Sequence, residues 1–122
     1  MKFKETIPPR SFEVGRGEPI EIVDCAQVEL APNEQITLKT ESGSEYDIVR
    51  KSWGYYATPS LNGRLKSFGL KTALVKSFSS KFYILLVEIG KEKEFQKYLK
   101  MEELTIVCWL DNDEHLENLE AS

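Results

Sequence analysis

Between Ile48 and Val87 the chain has no aspartate and no glutamate. A paired-carboxylate catalytic site therefore cannot be built within that stretch. Histidine is nearly absent as well. His115 is the only one, and it lies in an acidic C-terminal stretch where it makes a poor general base. One histidine and two separated cysteines cannot supply a zinc site of ordinary spacing. Cys25 and Cys108 form no Cys-x-x-Cys pair. Each sits among apolar residues of a predicted strand and is expected as a buried free thiol. A disulfide between them would need an oxidising compartment that no other feature suggests. Long apolar runs are missing too. The longest, Phe82 to Val87, falls far short of the roughly 18 residues of a membrane span. Met1 to Thr6 carries basic residues but no apolar signal-peptide core, so a cytoplasmic location is expected. No Gly-x-Ser-x-Gly, phosphate loop or dinucleotide fingerprint occurs. The sequence thus assigns no catalytic residue, no metal ligand and no cofactor.

What is present is an uneven distribution of charge. Residues 48–87 hold seven of the 16 basic residues and none of the 20 acidic ones. A strongly positive segment is set inside an acidic surround, although the whole chain has a net charge of −4. Such asymmetry speaks to partners rather than to fold. The segment also carries seven aromatics: Trp53, Tyr55, Tyr56, Phe68, Phe78, Phe82 and Tyr83. Cations attract an anion over distance, and flat rings stack on a base or a sugar. Phe82, Tyr83, Phe68 and Phe78 fit a core position better. Trp53, Tyr55 and Tyr56 flank a glycine beside a proline-containing loop, where a rigid scaffold tends to present function. Arg64 follows the Asn62-Gly63 dipeptide, which suits a type I′ turn. Arginine pairs bidentately with phosphate or carboxylate. These residues give a candidate ligand site of Trp53, Tyr55, Tyr56, Asn62, Arg64 and Lys66.

The rest of the chain reads as one domain of 122 residues, large enough to bury a core. Residues 1–17, with Pro8-Pro9 and Gly15-Arg16-Gly17, read as an extended arm pinned by Phe3, Ile7 and Phe12. Residues 18–111 read as a single α+β domain. Ile20 to Leu30 alternates with period two, broken at Asp24, where a bulge near Asp24-Cys25 is expected. Ile36 and Leu38, a turn at 41–44, then Tyr46 and Ile48 make the plainest hairpin. Leu70 to Val75 reads as a strand and Ser77 to Ser80 as a turn. Phe82 to Val87 is apolar on both parities and is expected near the middle of the sheet. Lys91 to Met101 is the one good helix, with Phe95, Tyr98 and Leu99 forming an apolar stripe. Thr105 to Leu110 is a second fully apolar strand. If both strands lie parallel in one sheet, the crossover between them is right-handed. Residues 112–122 read as an acidic, solvated tail.

The run Trp53-Gly54-Tyr55-Tyr56-Ala57-Thr58-Pro59-Ser60-Leu61-Asn62-Gly63-Arg64-Leu65, followed by Phe68-Gly69-Leu70-Lys71-Thr72-Ala73, resembles that of small bacterial proteins from surface-glycan and O-antigen biosynthesis gene clusters. The resemblance extends through Phe82 to Leu110 and covers about half the chain. It carries over no catalytic residue. It implies a context in which the ligand is an anionic sugar such as a nucleotide sugar.

The expectation is then an α+β fold. It has a mostly antiparallel sheet or partial barrel of six to seven strands, with one helix at 91–101 on one face. The expected function is a non-catalytic or accessory binding module for a phosphorylated sugar or nucleotide. Single-stranded nucleic acid fits the same residues less well, because the net negative charge opposes a long polyanion. Two other classes stand beside it. One is a small enzyme of glycan metabolism using Tyr or Lys acid–base chemistry. The other is an interaction module or homodimer whose basic surface meets an acidic partner.

Overall fold

A computed structural model describes residues 1–122. Strand β1 (Lys2–Val14) pairs antiparallel with β2 (Ile20–Glu29) in a two-stranded ribbon. Phe3 stands opposite Val28, Phe12 opposite Ile22 and Val14 opposite Ile20. The register slips between Glu5 and Arg10, across from Cys25, at the place where Asp24 breaks the apolar period. The extra residues belong to β1 and include Pro8 and Pro9, whose nitrogens cannot donate to a ladder. The arm is extended, but not pinned as expected. Phe3, Ile7 and Phe12 are 61, 78 and 46% exposed. The turn Gly15-Arg16-Gly17 attaches the arm at one end, donating the Arg16 and Gly17 amides to Glu102, and the Met1 amino group meets Glu34 at 2.9 Å at the other.

A second sheet holds β3 (Gln35–Lys39), β4 (Glu45–Lys51) and β5 (Gly54–Ala57), in that order. The anticipated hairpin is there, with Ile36 opposite Ile48 and Leu38 opposite Tyr46. Ala57 extends the same face from β5. A single helical turn follows, α1 (Arg64–Ser67), and its Leu65 is fully buried. The Asn62-Gly63 type I′ turn does not form. Gly63 has φ −141°, and the Ser60 hydroxyl accepts the Arg64 amide at 3.0 Å, starting a helix instead.

The third sheet has order β7-β6-β8, from β6 (Leu70–Ser77), β7 (Phe82–Glu88) and β8 (Leu104–Trp109). Both outer strands are antiparallel to β6, so they run parallel to each other with β6 between them. Helix α2 (Glu92–Met101) connects them across one face. Ala73, Val75, Val87, Phe95 and Leu99 form the core there, and the Phe95 and Trp109 rings meet edge-on with centroids 5.8 Å apart.

The α+β class holds, but its finer expectation is corrected. There is no closed barrel and no single sheet of six or seven strands; eight strands divide among three small antiparallel sheets. Phe82 to Val87 is an edge strand, not a central one. Its double-sided apolarity has a different physical origin. Tyr83, Leu85 and Val87 face the α2 side, while Phe82, Ile84 and Leu86 face outward and remain exposed. Every buried hydrophobic side chain falls between Leu65 and Leu110, so the core belongs to the C-terminal half. The expected burial of both thiols also fails for Cys25, which is exposed; Cys108 is half-buried.

The acidic tail is not a free coil. Residues Asp113–Glu120 form α3, with the Asn112 side chain accepting the His115 amide at 3.1 Å. His115 Nδ1 lies 3.0 Å from the Trp109 carbonyl oxygen and ties the helix to β8. No helix in the chain is long and apolar enough to cross a membrane.

Candidate functional site

The β4–β5 hairpin turns tightly through Ser52-Trp53, pairing Lys51 with Gly54. That register sets Arg50 opposite Tyr55, and residues directly opposed across strands share a face. The Arg50 backbone is fixed from both sides. Its amide donates to Glu34 O at 2.9 Å, and its carbonyl accepts from the Asn33 amide at 2.6 Å. Lys51, one residue on, points the other way and donates to Asn33 Oδ1 at 2.7 Å.

The foot of the ribbon faces this hairpin. Between them lies a cleft of about 710 Å³, lined by Lys2, Lys4, Gln27, Glu29, Arg50 and Tyr55 among others. Arg50 Nη1 is buried in the protein and has no hydrogen-bond partner. Arg50 and Lys4 have no carboxylate partner, whereas Lys2 reaches Glu29 at 3.6 Å. Beneath the cleft Glu34 is kept ionised. It accepts the Ala31 amide at 2.7 Å, and that bond is the largest cause holding its carboxyl below the ordinary 4.5; the Met1 amino group adds to it. A buried N–H left unpaired costs free energy.

Of the six residues singled out from the sequence, only Tyr55 lines this cleft. Trp53 stands at the hairpin tip, 72% exposed, and Tyr56 lies opposite Val49 on the other face of β5. The remaining three gather around α1 and the base of α3. Asn62 Nδ2 donates to Asp113 Oδ1 at 2.8 Å. Arg64 donates to the Thr58 hydroxyl and lies 5.2 Å from the Phe68 ring centroid. Lys66 sits 3.5 Å from Asp111.

The acid-free stretch is therefore partly neutralised from outside itself. Lys71 continues the pattern, 3.7 Å from Glu92 and 4.1 Å over the Trp109 ring. Lys71 and Lys76 sit on opposite faces of β6, so the seven cations do not share one surface. Sequence reasoning missed Arg50, Lys2, Lys4 and Gln27 as site residues. Arg50 was legible in one respect: a two-residue turn at Ser52-Trp53 dictates its register against Tyr55. The approach of the ribbon foot had no local signal. No protein-family model, curated protein or solved structure matches this chain.

Proposed function

We propose that the chain is a non-catalytic binding module for a small phosphorylated ligand, a sugar phosphate or a nucleotide, held in the cleft between the ribbon foot and the β4–β5 hairpin. The supporting observation is Arg50, which lines the cleft beside Lys4 and Tyr55 and has no carboxylate partner. A phosphoryl group pairs with the guanidinium charge, Lys4 adds to it, and Tyr55 packs against a sugar or base. Glu29 opposes an anion at the same rim, and its pairing with Lys2 moderates that opposition. The cleft volume suits a ligand of nucleotide size rather than a polymer.

Thermal melts with inorganic phosphate, UMP and UDP test the reading. A ligand at 100 times its Kd stabilises by about 2.7 kcal/mol. UMP or UDP is expected to raise the melting temperature, and Arg50→Lys or Lys4→Gln to reduce that rise. Arg64→Ala is expected to leave it intact. A shift that survives in both cleft variants, or no shift with any phosphorylated probe, ends the proposal for this site.

A further inference from the structure

Ile48 stands opposite Ile36 on one side and Ala57 on the other, so the three share one face of the second sheet. Tyr46, two residues back along β4, lies on that face as well. Arg50 and Tyr55, an opposed pair two residues farther along β4 and β5, lie on it too. Val28 and Leu30 of the ribbon foot stand across from this face, and the pocket between has a volume of about 400 Å³. Only apolar and aromatic side chains line it. Burial pushes the Tyr46 hydroxyl above its ordinary 10.0. Val28, Leu30 and Tyr55 also line the larger cleft that holds Lys4 and Arg50. The two spaces therefore adjoin along one sheet face, cationic at the Arg50 end and apolar from Ile48 to Tyr46. Arg50 and Tyr46 are four strand residues apart, roughly 13 Å. A packed interior leaves few voids larger than a water molecule, and an apolar hollow takes apolar ligands rather than water.

We infer that the phosphorylated ligand carries an aliphatic chain. Its phosphate lies by Arg50 and Lys4, and its chain runs over Ile48 and Ala57 toward Ile36 and Tyr46. This rests on the reading of the cleft as a phosphate site. Charge complementarity carries the choice of occupant. Cations line the cleft, whereas no charged side chain lines the apolar pocket, so an anion is held at one end only. Whatever fills the other end has to be uncharged. The walls there include Val28, Leu30, Ile36 and Ile48, which offer no hydrogen bond to a sugar hydroxyl or a base edge. A polar group placed among them loses its water without compensation, whereas each methylene gains by leaving water.

Titration calorimetry of the full chain with butyl, hexyl and octyl phosphate, each below its micelle-forming concentration, tests this. Each methylene that enters the pocket is expected to tighten binding roughly fourfold. Octan-1-ol, which lacks the anion, is expected to bind about tenfold more weakly than octyl phosphate, or weaker still. Lys4→Gln is expected to weaken every phosphate by the same factor and to keep the gain per methylene. Ala57→Trp fills the pocket from an exposed strand position and is expected to abolish that gain. Octyl phosphate bound no tighter than butyl phosphate, by a chain that UMP still stabilises, overturns the inference and leaves the cleft reading standing. A gain per methylene that survives Ala57→Trp does the same, since the chain then lies elsewhere. An octyl phosphate affinity untouched by both Arg50→Lys and Lys4→Gln, or matched by octan-1-ol, overturns the inference and the cleft reading together.

Discussion

The Glu102 carboxylate reaches back 86 residues to accept the Arg16 amide at 2.8 Å. The same oxygen accepts the Gly17 amide at 3.1 Å. Glu102 itself is only 9% exposed, so this acidic side chain at the end of α2 holds the ribbon turn in place. Arg16 completes the joint, with its guanidinium 3.4 Å over Phe78 and its Nε 2.9 Å from Glu103.

Glu102→Ala leaves both amides without an acceptor in a part-buried setting. The expected cost is about 1–3 kcal/mol, the usual penalty for an unsatisfied buried group. Gly15→Ala attacks the same joint from the other side. Gly15 has φ +110°, and an added Cβ would lie 2.7 Å from Glu102 Oε1. Strain of this kind costs on the order of 1–3 kcal/mol. Urea midpoints of both variants check the expectation. Midpoints equal to the parent would mean that the ribbon turn does not dock through Glu102.

Substitutions of leucine should sort sharply by burial. Leu65 is fully buried, so Leu65→Ala is expected to cost about 2–5 kcal/mol through lost transfer energy and a cavity. Leu38, on the apolar face of the second sheet, is 53% exposed, so Leu38→Ala is expected to stay within about 0.5 kcal/mol. Chemical denaturation of the two variants decides. Equal losses would show that Leu38 is as buried as Leu65.

Residues that speak through local period were readable in the sequence, and residues that speak through distant neighbours were not. The 35–51 hairpin, the α2 stripe of Phe95 and Leu99, and the extent of β6 to β8 follow from alternation or helical spacing. The division into three sheets does not. Nothing local to Phe82–Val87 tells a strand covered on both sides from an edge strand with one open face. Asn62-Gly63 failed because Ser60 supplies an acceptor that recruits both residues into the start of a helix. The cleft was half legible. Tyr55 was singled out, but Arg50 gains its significance only when Lys2 and Lys4 arrive from the ribbon foot.

Stability should fall on acidification through two surface carboxylates. Glu88 is held below the ordinary 4.5 mainly by the Ser42 hydroxyl, with help from Thr40 and from Lys91 at 3.5 Å. Glu92 is held below it mainly by the Gly90 amide, with help from Lys71. Both carboxyls have a lower pKa folded than unfolded. Their contribution is therefore complete above pH 4.5 and is lost as pH falls through the folded value beneath it. Glu88→Gln is expected to be less stable than the parent at neutral pH, with the gap closing below that range. Urea titrations from pH 7 to pH 3 measure it; a gap that widens with acid would reverse the assigned sign.

The last helix should melt independently of the body. Helix α3 buries none of its residues, and its Leu119 is 56% exposed. An eight-residue helix is marginal without packing, so its ends decide. Asp113 and Glu114 in the first turn favour the helix dipole, and the Asn112 side chain satisfies the His115 amide. Asn112→Ala removes that cap, worth about 0.5–2 kcal/mol to the helix. Amide exchange over residues 113–120 is expected to accelerate, while the urea midpoint of the core stays within error. Loss of the global midpoint in step with the helix would mean that α3 holds β8 in place through His115 and Trp109, rather than resting on it.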